Sequence, residues 1–216
     1  MRTTILAESP KKARVPQTQR TAIMRYRLSK AAFEVIKDVG FANFRTSAVS
    51  KQAGVSQGAQ LHHYPTKNDL TLAAMQYAYE QSNSIFTRNI AAFRPDDDPV
   101  DAAMKDAEDF FMSDYFMVAL DILMAGGKNE ELRGQQIELA VTSRSLVEKA
   151  WIDRLVDLGW DKELAEDILN ISFCLVRGYV VKMLISENPK QYQRLVSRWK
   201  AMVSATIKQE AAPTTQ

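Results

Sequence analysis

His62 and His63 are the only histidines in the chain, and they are adjacent. Ser56 lies just before them, and the lone cysteine, Cys174, lies far downstream. A serine beside a histidine could serve nucleophilic catalysis, and two histidines could hold a metal. The spacing favours neither chemistry. On a helix, neighbouring side chains point about 100° apart, so His62 and His63 cannot close on one ion. No phosphate-loop or dinucleotide glycine pattern is present. No metal site, cofactor or enzyme activity is expected. What remains is a short polar run, Ser56-Gln57-Gly58-Ala59-Gln60, followed by the histidines. Small and polar groups of this kind can lie against base edges and phosphates.

Such groups need a frame that holds them outward. Apolar residues at helical spacing dominate the chain, and strand-like alternation is rare. The spacing predicts a first helix over about 20–39, with Leu28, Ala31, Ala32, Val35, Ile36 and Val39 on one face and Gly40 as its stop. Phe41 and Phe44 read as core anchors in the connection. A short helix follows from Thr46, which could cap it, to near Ala53. Gly54 supplies the tight turn, Ser56 caps a third helix over 57–63, and Tyr64-Pro65 ends it. Val49, Ala53, Val55 and Leu61 are expected to pack inward. Thr66 caps a fourth helix over about 67–93. Arg94 to Pro99 is a loop. Further helices are expected over 99–112, 114–125, 129–158, 161–186 and 189–210. Ser113, Gly126-Gly127, Gly159 and Asn188-Pro189 mark the breaks. The fold class is therefore all-α with about nine helices, and no internal repeat is visible.

Two short helices joined by a glycine turn and packed on a third describe a helix-turn-helix. The stretch from Gly54 to Lys67, GVSQGAQLHHYPTK, resembles the signature of the TetR family. So does the preceding helix, Leu28 to Phe41, with its Ala-Ala pair and Gly-Phe ending. The resemblance covers roughly residues 22–82. It implies a DNA-binding domain over 18–66 and a larger ligand-binding and dimerisation domain over 67–210. It further implies that Gln57, Gly58 and Ala59 face the major-groove bases. Thr46, His63 and Lys67 match positions that contact the phosphate backbone. Arg45, Ser47, Ser56, Gln60, His62 and Tyr64 complete the expected DNA surface. The chain departs from the family pattern at Gln60-Leu61, where members usually carry leucine and then tyrosine. Leu61 cannot offer the tyrosine's hydroxyl, which moves the expected phosphate grip onto Thr46, His63, Lys67 and the basic arm.

Charge agrees with that placement. Residues 1–67 carry 12 Lys/Arg against 3 Asp/Glu, a net +9, while residues 68–216 carry 16 against 23, a net −7. A basic end on an acidic body suits a protein that meets a polyanion with one end. Residues 1–17 read as a disordered basic arm and 211–216 as a loose tail. With one cysteine, no apolar run of membrane length and no signal-peptide core, a cytoplasmic location is expected.

The C-terminal part carries a dense Met and aromatic set. Most of it reads as core. A cavity between helices is the functional alternative, lined by Tyr77, Phe86, Phe110, Phe111, Tyr115, Phe116, Leu120 and Met124, with Trp151, Phe173, Cys174 and Arg177 opposite. Arg177 could pair across an interface or with an acidic ligand. The last two helices carry long apolar faces: Leu164, Ile168, Ile171, Leu175 and Gly178, then Leu195, Trp199 and Met202. The family pairs two such helices into a four-helix dimer interface. A two-fold dimer places two reading helices on a palindrome. The expected function is a homodimeric regulator, a repressor released from operator DNA by a mostly apolar small molecule. A ligand-independent DNA-binding regulator, and a helical small-molecule-binding protein without DNA recognition, are the two other readings.

Overall fold

Glycine, proline and capping side chains divide the chain much as their chemistry requires. The computed structural model describes residues 16–94, 96–125 and 130–210. Among them are nine α-helices and a 3₁₀ turn at Phe41–Asn43, with no strand. The helices are α1 (Gln17–Val39), α2 (Thr46–Ala53), α3 (Gln57–His63), α4 (Lys67–Ala92), α5 (Pro99–Phe111), α6 (Asp114–Ala125), α7 (Glu130–Asp157), α8 (Lys162–Met183) and α9 (Pro189–Glu210). The expected arm apart from its last two positions, the tail, and the Gly126-Gly127 break lie outside the described residues.

The stops and caps act locally. Gly40 ends α1 at φ 76°, a left-handed value that favours glycine, and its N–H donates to the Ile36 carbonyl at 2.8 Å. Thr66 begins α4 with a reciprocal capping box: its Oγ1 accepts from Asp69 N–H, and its own N–H donates to the Asp69 carboxylate. Asp98 and Asp161 cap α5 and α8 more simply, each carboxylate accepting from backbone N–H groups of the first turn. Two boundaries differ from expectation. Thr46 does not cap α2: it is the first helical residue, and Arg45 holds the cap position without a side-chain bond. The end of α8 comes at Met183, three residues early, where Leu184 and Ile185 donate to the carbonyls three residues back, Val181 and Lys182, and tighten the last turn out of the α pattern.

A single continuous cluster of buried apolar side chains runs from Leu28 in α1 to Val203 in α9. Leu28 and Ile36 of α1, Phe44, Val49 of α2 and Leu70 of α4 are essentially inaccessible, so the short N-terminal helices close on α1 and α4. Truncating the Phe44 ring to alanine would cost about 3–5 kcal/mol at such a site. The longest contacts of α4 run to α1 on one side and to α5, α6 and α7 on the other. At 26 residues it spans roughly 39 Å. It is the shared beam between the N-terminal head and the larger helical body.

Candidate nucleic-acid interface

The geometry begins at Gly54. It adopts φ 63°, ψ 41°, and its N–H closes the end of α2. The left-handed backbone favours glycine here, and a Cβ would come 3.0 Å from Nη2 of the exposed Arg27 side chain, which can move aside. Two residues later Ser56 accepts from the Ala59 N–H at 3.1 Å and starts α3. This turn sets the angle at which α3 leaves α2.

α3 has seven residues and one buried inner position. That position is Gln60, fully buried, whereas Leu61 is 47% exposed. The sequence reading had these reversed, with Gln60 on the DNA-facing surface and Leu61 inside. Side chains one residue apart diverge by about 100°, so only one of the two can face the core. An amide can be buried there because its bonds are satisfied. Gln60 Nε2 donates to the Tyr64 carbonyl at 2.8 Å, and Oε1 accepts from Ser50 Oγ at 3.4 Å. Tyr64 is also buried, against its expected place on the surface. Its hydroxyl donates to the Arg25 carbonyl at 3.5 Å, and the Arg25 guanidinium lies 5.0 Å from the ring centroid.

The rest of the expected surface is outward. Arg45, Ser47, Ser56, Gln57, Gly58, His62 and Lys67 are exposed, and Thr46, Ala59 and His63 are partly so. Gly58 meets nothing within 4 Å of a hypothetical Cβ, so that face of α3 is open. Arg45 is tethered by Nη1 to the carbonyls of Ala42 and Phe44. Lys67 Nζ sits 5.1 Å from the Phe41 ring and 5.5 Å from Phe44, which positions its charge beside α3's exit. His63 is pushed below its ordinary pKa, first by burial and then by repulsion from His62 and Arg25. Arg25, at the His63–Tyr64 edge, was not among the residues singled out from sequence. It is an exposed residue three positions before Leu28, where the core face of α1 begins, and gave no local signal.

Residues 28–74 match the family described as bacterial regulatory proteins, tetR family. Over 187 residues the chain is 36% identical to the HTH-type transcriptional regulator CymR of Pseudomonas putida, covering 87% of this chain and 91% of that protein. The chain belongs to the TetR family. It is a DNA-binding transcriptional regulator with an N-terminal helix-turn-helix. Solved structures agree in fold. A transcriptional regulator from Rhodococcus sp. Rha1 is 18% identical with a TM-score of 0.64, over 83% of this chain and 95% of that one. The multidrug binding protein EbrR complexed with ethidium is 19% identical with a TM-score of 0.55, over 82% and 98%.

In this TetR-family chain the residues expected around an effector cavity fall into separate groups. Tyr77 packs on Tyr26 and Phe33, and Tyr115 on Phe33, at the junction with the head. Leu120 and Met124 line a different place, an open cleft of about 380 Å³ between α1 and α6 that includes Ile36, Lys37 and Asp121. Phe110, Phe111, Phe116 and Phe173 form one buried aromatic group in the body. Trp151 is buried beside it, donating from Nε1 to Asp106 at 3.2 Å, and Phe86 is partly buried against the core. Cys174 is exposed, not interior, and Arg177 is exposed with Nη2 near the cysteine sulfur. They lie one turn apart on α8, and the Arg177 guanidinium carbon reaches within 5.3 Å of the Phe111 ring centroid, on the side where it was expected. Sequence reasoning also missed Arg144, which stacks on Phe110 from α7, and Asp106. Asp106 had a signal: its spacing from Ala103 and Phe110 places it on α5's inner face.

The expected dimer face divides likewise. Ile168 is buried inside the chain, because it shares α8's inner face with Ala165, Leu169 and Ser172. Trp199 is half-buried and donates from Nε1 to Ser172 Oγ at 2.8 Å. Leu164 and Leu175 are partly buried. Ile171, Gly178, Leu195 and Met202 face outward, and a Cβ at Gly178 would meet nothing within 4 Å. Among the described residues no helix is long and apolar enough to cross a membrane.

Proposed function

We propose that this regulator is a cytoplasmic, non-enzymatic homodimer that reads a palindromic operator with α3 and releases it when a small molecule enters the helical body. The reading divides the chain near residue 66 into a head and an effector and dimerisation body. The carrying observation is the open face of α3: Gln57, Gly58 and partly exposed Ala59 project outward, while buried Gln60 and the Gly54 turn lock the helix behind them. Arg45, Thr46, Ser47, Ser56, His62, His63 and Lys67 are proposed as flanking contacts, most of them to phosphate. Gln60 and Tyr64 are proposed as supports for α3 rather than contacts. Exposed Ile171, Gly178, Leu195 and Met202 are proposed to meet their counterparts across the two-fold axis.

Small-molecule control is supported by the fold shared with EbrR, a multidrug binding protein captured with ethidium. It is also supported by the way α4 links head and body. A ligand acts only through unequal affinity for the two head spacings. The test is fluorescence anisotropy of the full-length protein on the DNA upstream of its own gene, from 50 to 300 mM salt. Tight binding whose logarithm falls linearly with log salt is expected. Absence of salt-sensitive binding to that DNA and to a pool of genomic fragments would sink the reading.

A further inference from the structure

α3 carries one large apolar side chain, Leu61, and it is turned away from the core. Its neighbour Gln60 is fully buried, with Nε2 donating to the Tyr64 carbonyl and Oε1 accepting from the Ser50 hydroxyl. Those two bonds fix the rotation of α3 about its own axis, and the outward setting of Leu61 is fixed with it. At 3.6 residues per turn Leu61 falls roughly 40° from Gln57 and roughly 60° from Gly58. All three are exposed. A Cβ on Gly58 would meet nothing within 4 Å. Leu61 therefore stands between an amide and a bare stretch of backbone, on the face proposed to meet the operator.

A single leucine in water is ordinary by itself. Its neighbours give this one a task. Phosphates and the donor and acceptor edges of bases would lose water against an isobutyl group and gain no bond. The major groove offers one apolar group, the C5-methyl of thymine. A leucine and that methyl shield each other from water, and the bare Gly58 backbone lets α3 approach closely enough for them to touch. Gln57, one turn earlier, carries the amide that suits adenine. Four residues of helix rise about 6 Å and base pairs stack at about 3.4 Å, so the two side chains reach different base pairs of one half-site.

We infer that Leu61 is a specificity-determining residue of α3, packing on the C5-methyl of a thymine in each half-site. This role rests on the operator reading proposed above and adds a base preference to it. Cytosine is rejected at the same position, because it lacks the methyl and turns its N4 amino donor toward the isobutyl group.

The test measures full-length protein by fluorescence anisotropy on the DNA upstream of its own gene, prepared once with thymine and once with uracil throughout. Uracil keeps the hydrogen-bonding groups of thymine and lacks only the methyl. Burying one methyl is worth about fourfold in affinity, so with two half-sites the parent should lose about tenfold on uracil DNA. Leu61→Ala should bind thymine DNA more weakly than the parent does, and its loss on uracil DNA should be at least threefold smaller than the parent's. Leu61→Met keeps the apolar reach and should keep the parent's thymine-to-uracil ratio. Both variants should unfold at the parent's urea midpoint, because Leu61 lies outside the core cluster. A residue that only held α3 in place would shift that midpoint and leave the ratio unchanged. A parental loss below threefold, or a Leu61→Ala loss that is not threefold smaller, would overturn the role of Leu61 and leave operator reading intact. Absence of salt-sensitive binding to thymine DNA would overturn operator reading and this role with it.

Discussion

A single buried amide decides how α3 is held. Gln60 reaches forward to the Tyr64 carbonyl and back to Ser50, tying the end of α3 to α2. Replacing it with leucine keeps the volume but strands that carbonyl. Gln60→Leu is therefore expected to lower unfolding stability by about 1–3 kcal/mol, measured by urea denaturation. An unchanged midpoint would mean that Tyr64's carbonyl finds water instead. His63 is the second decisive residue. Burial, His62 and Arg25 hold its pKa below 6.5 in the free protein. The unfolded chain then binds more protons than the folded one between the two pKa values. Stability from this group is complete above the unfolded value and is lost as pH falls through it. A nearby phosphate favours the charged form, so operator binding moves the other way and tightens as pH drops from about 7.5 toward 6. Anisotropy titrations across that range should show the gain in the parent protein and a smaller one in His63→Gln. The Gln60–Leu61 exchange also shows where sequence reading stops. Hydrophobicity alone sends leucine inward. The position of α3's inner face is set by the Gly54 turn, by the Ser50 hydroxyl that donates to Gln60 and by the Tyr64 carbonyl that accepts from it, which no periodicity in seven residues can reveal.

Between elements, the legible and illegible parts separate by range. Helix stops that act through their own residue, such as Gly40 with its positive φ, and caps that bond three residues ahead, such as Ser56 and Thr66, could be read from spacing. Contacts that join distant helices could not. The Phe41 N–H donates to Asp121 Oδ2 at 2.6 Å, across 80 residues of sequence, and Lys37 approaches Asp114 at 3.9 Å. These two contacts fasten the end of α1 and the connection that follows it to α6. They line the same cleft as Leu120 and Met124, so α6 is tied to the base of the head. Asp121→Ala removes the main fastener. It should cost about 1–3 kcal/mol in stability, and it should shrink the difference in operator affinity between ligand-free and ligand-bound protein. Anisotropy with and without effector measures that difference. An intact difference in Asp121→Ala would place the coupling in α4 alone.

For the whole molecule, charge and symmetry must act together. The described part of the head, residues 16–67, carries 8 Lys/Arg against 2 Asp/Glu, a net +6, whereas residues 68–216 of the sequence carry a net −7. One head offers only a few phosphate contacts, and each contributes to a salt-screened term that is weak at physiological ionic strength. Two heads joined rigidly multiply their binding, because the second engages at a high effective concentration. The outward face of α8 and α9 is the surface able to join them. Ile171 is 48% exposed, Leu195 42% and Met202 56%, apolar side chains that a second copy would cover. Placing a charge there would bury it unpaired at the two-fold axis, where each substitution meets its own copy. The double variant Ile171→Glu with Met202→Glu is accordingly expected to sediment as a monomer and to lose about a hundredfold or more of operator affinity. Its far-ultraviolet helical signal should be unchanged, since both side chains lie outside the chain's own core. A monomer that still bound the operator at parental affinity would show that one head suffices, and would remove the need for a palindrome.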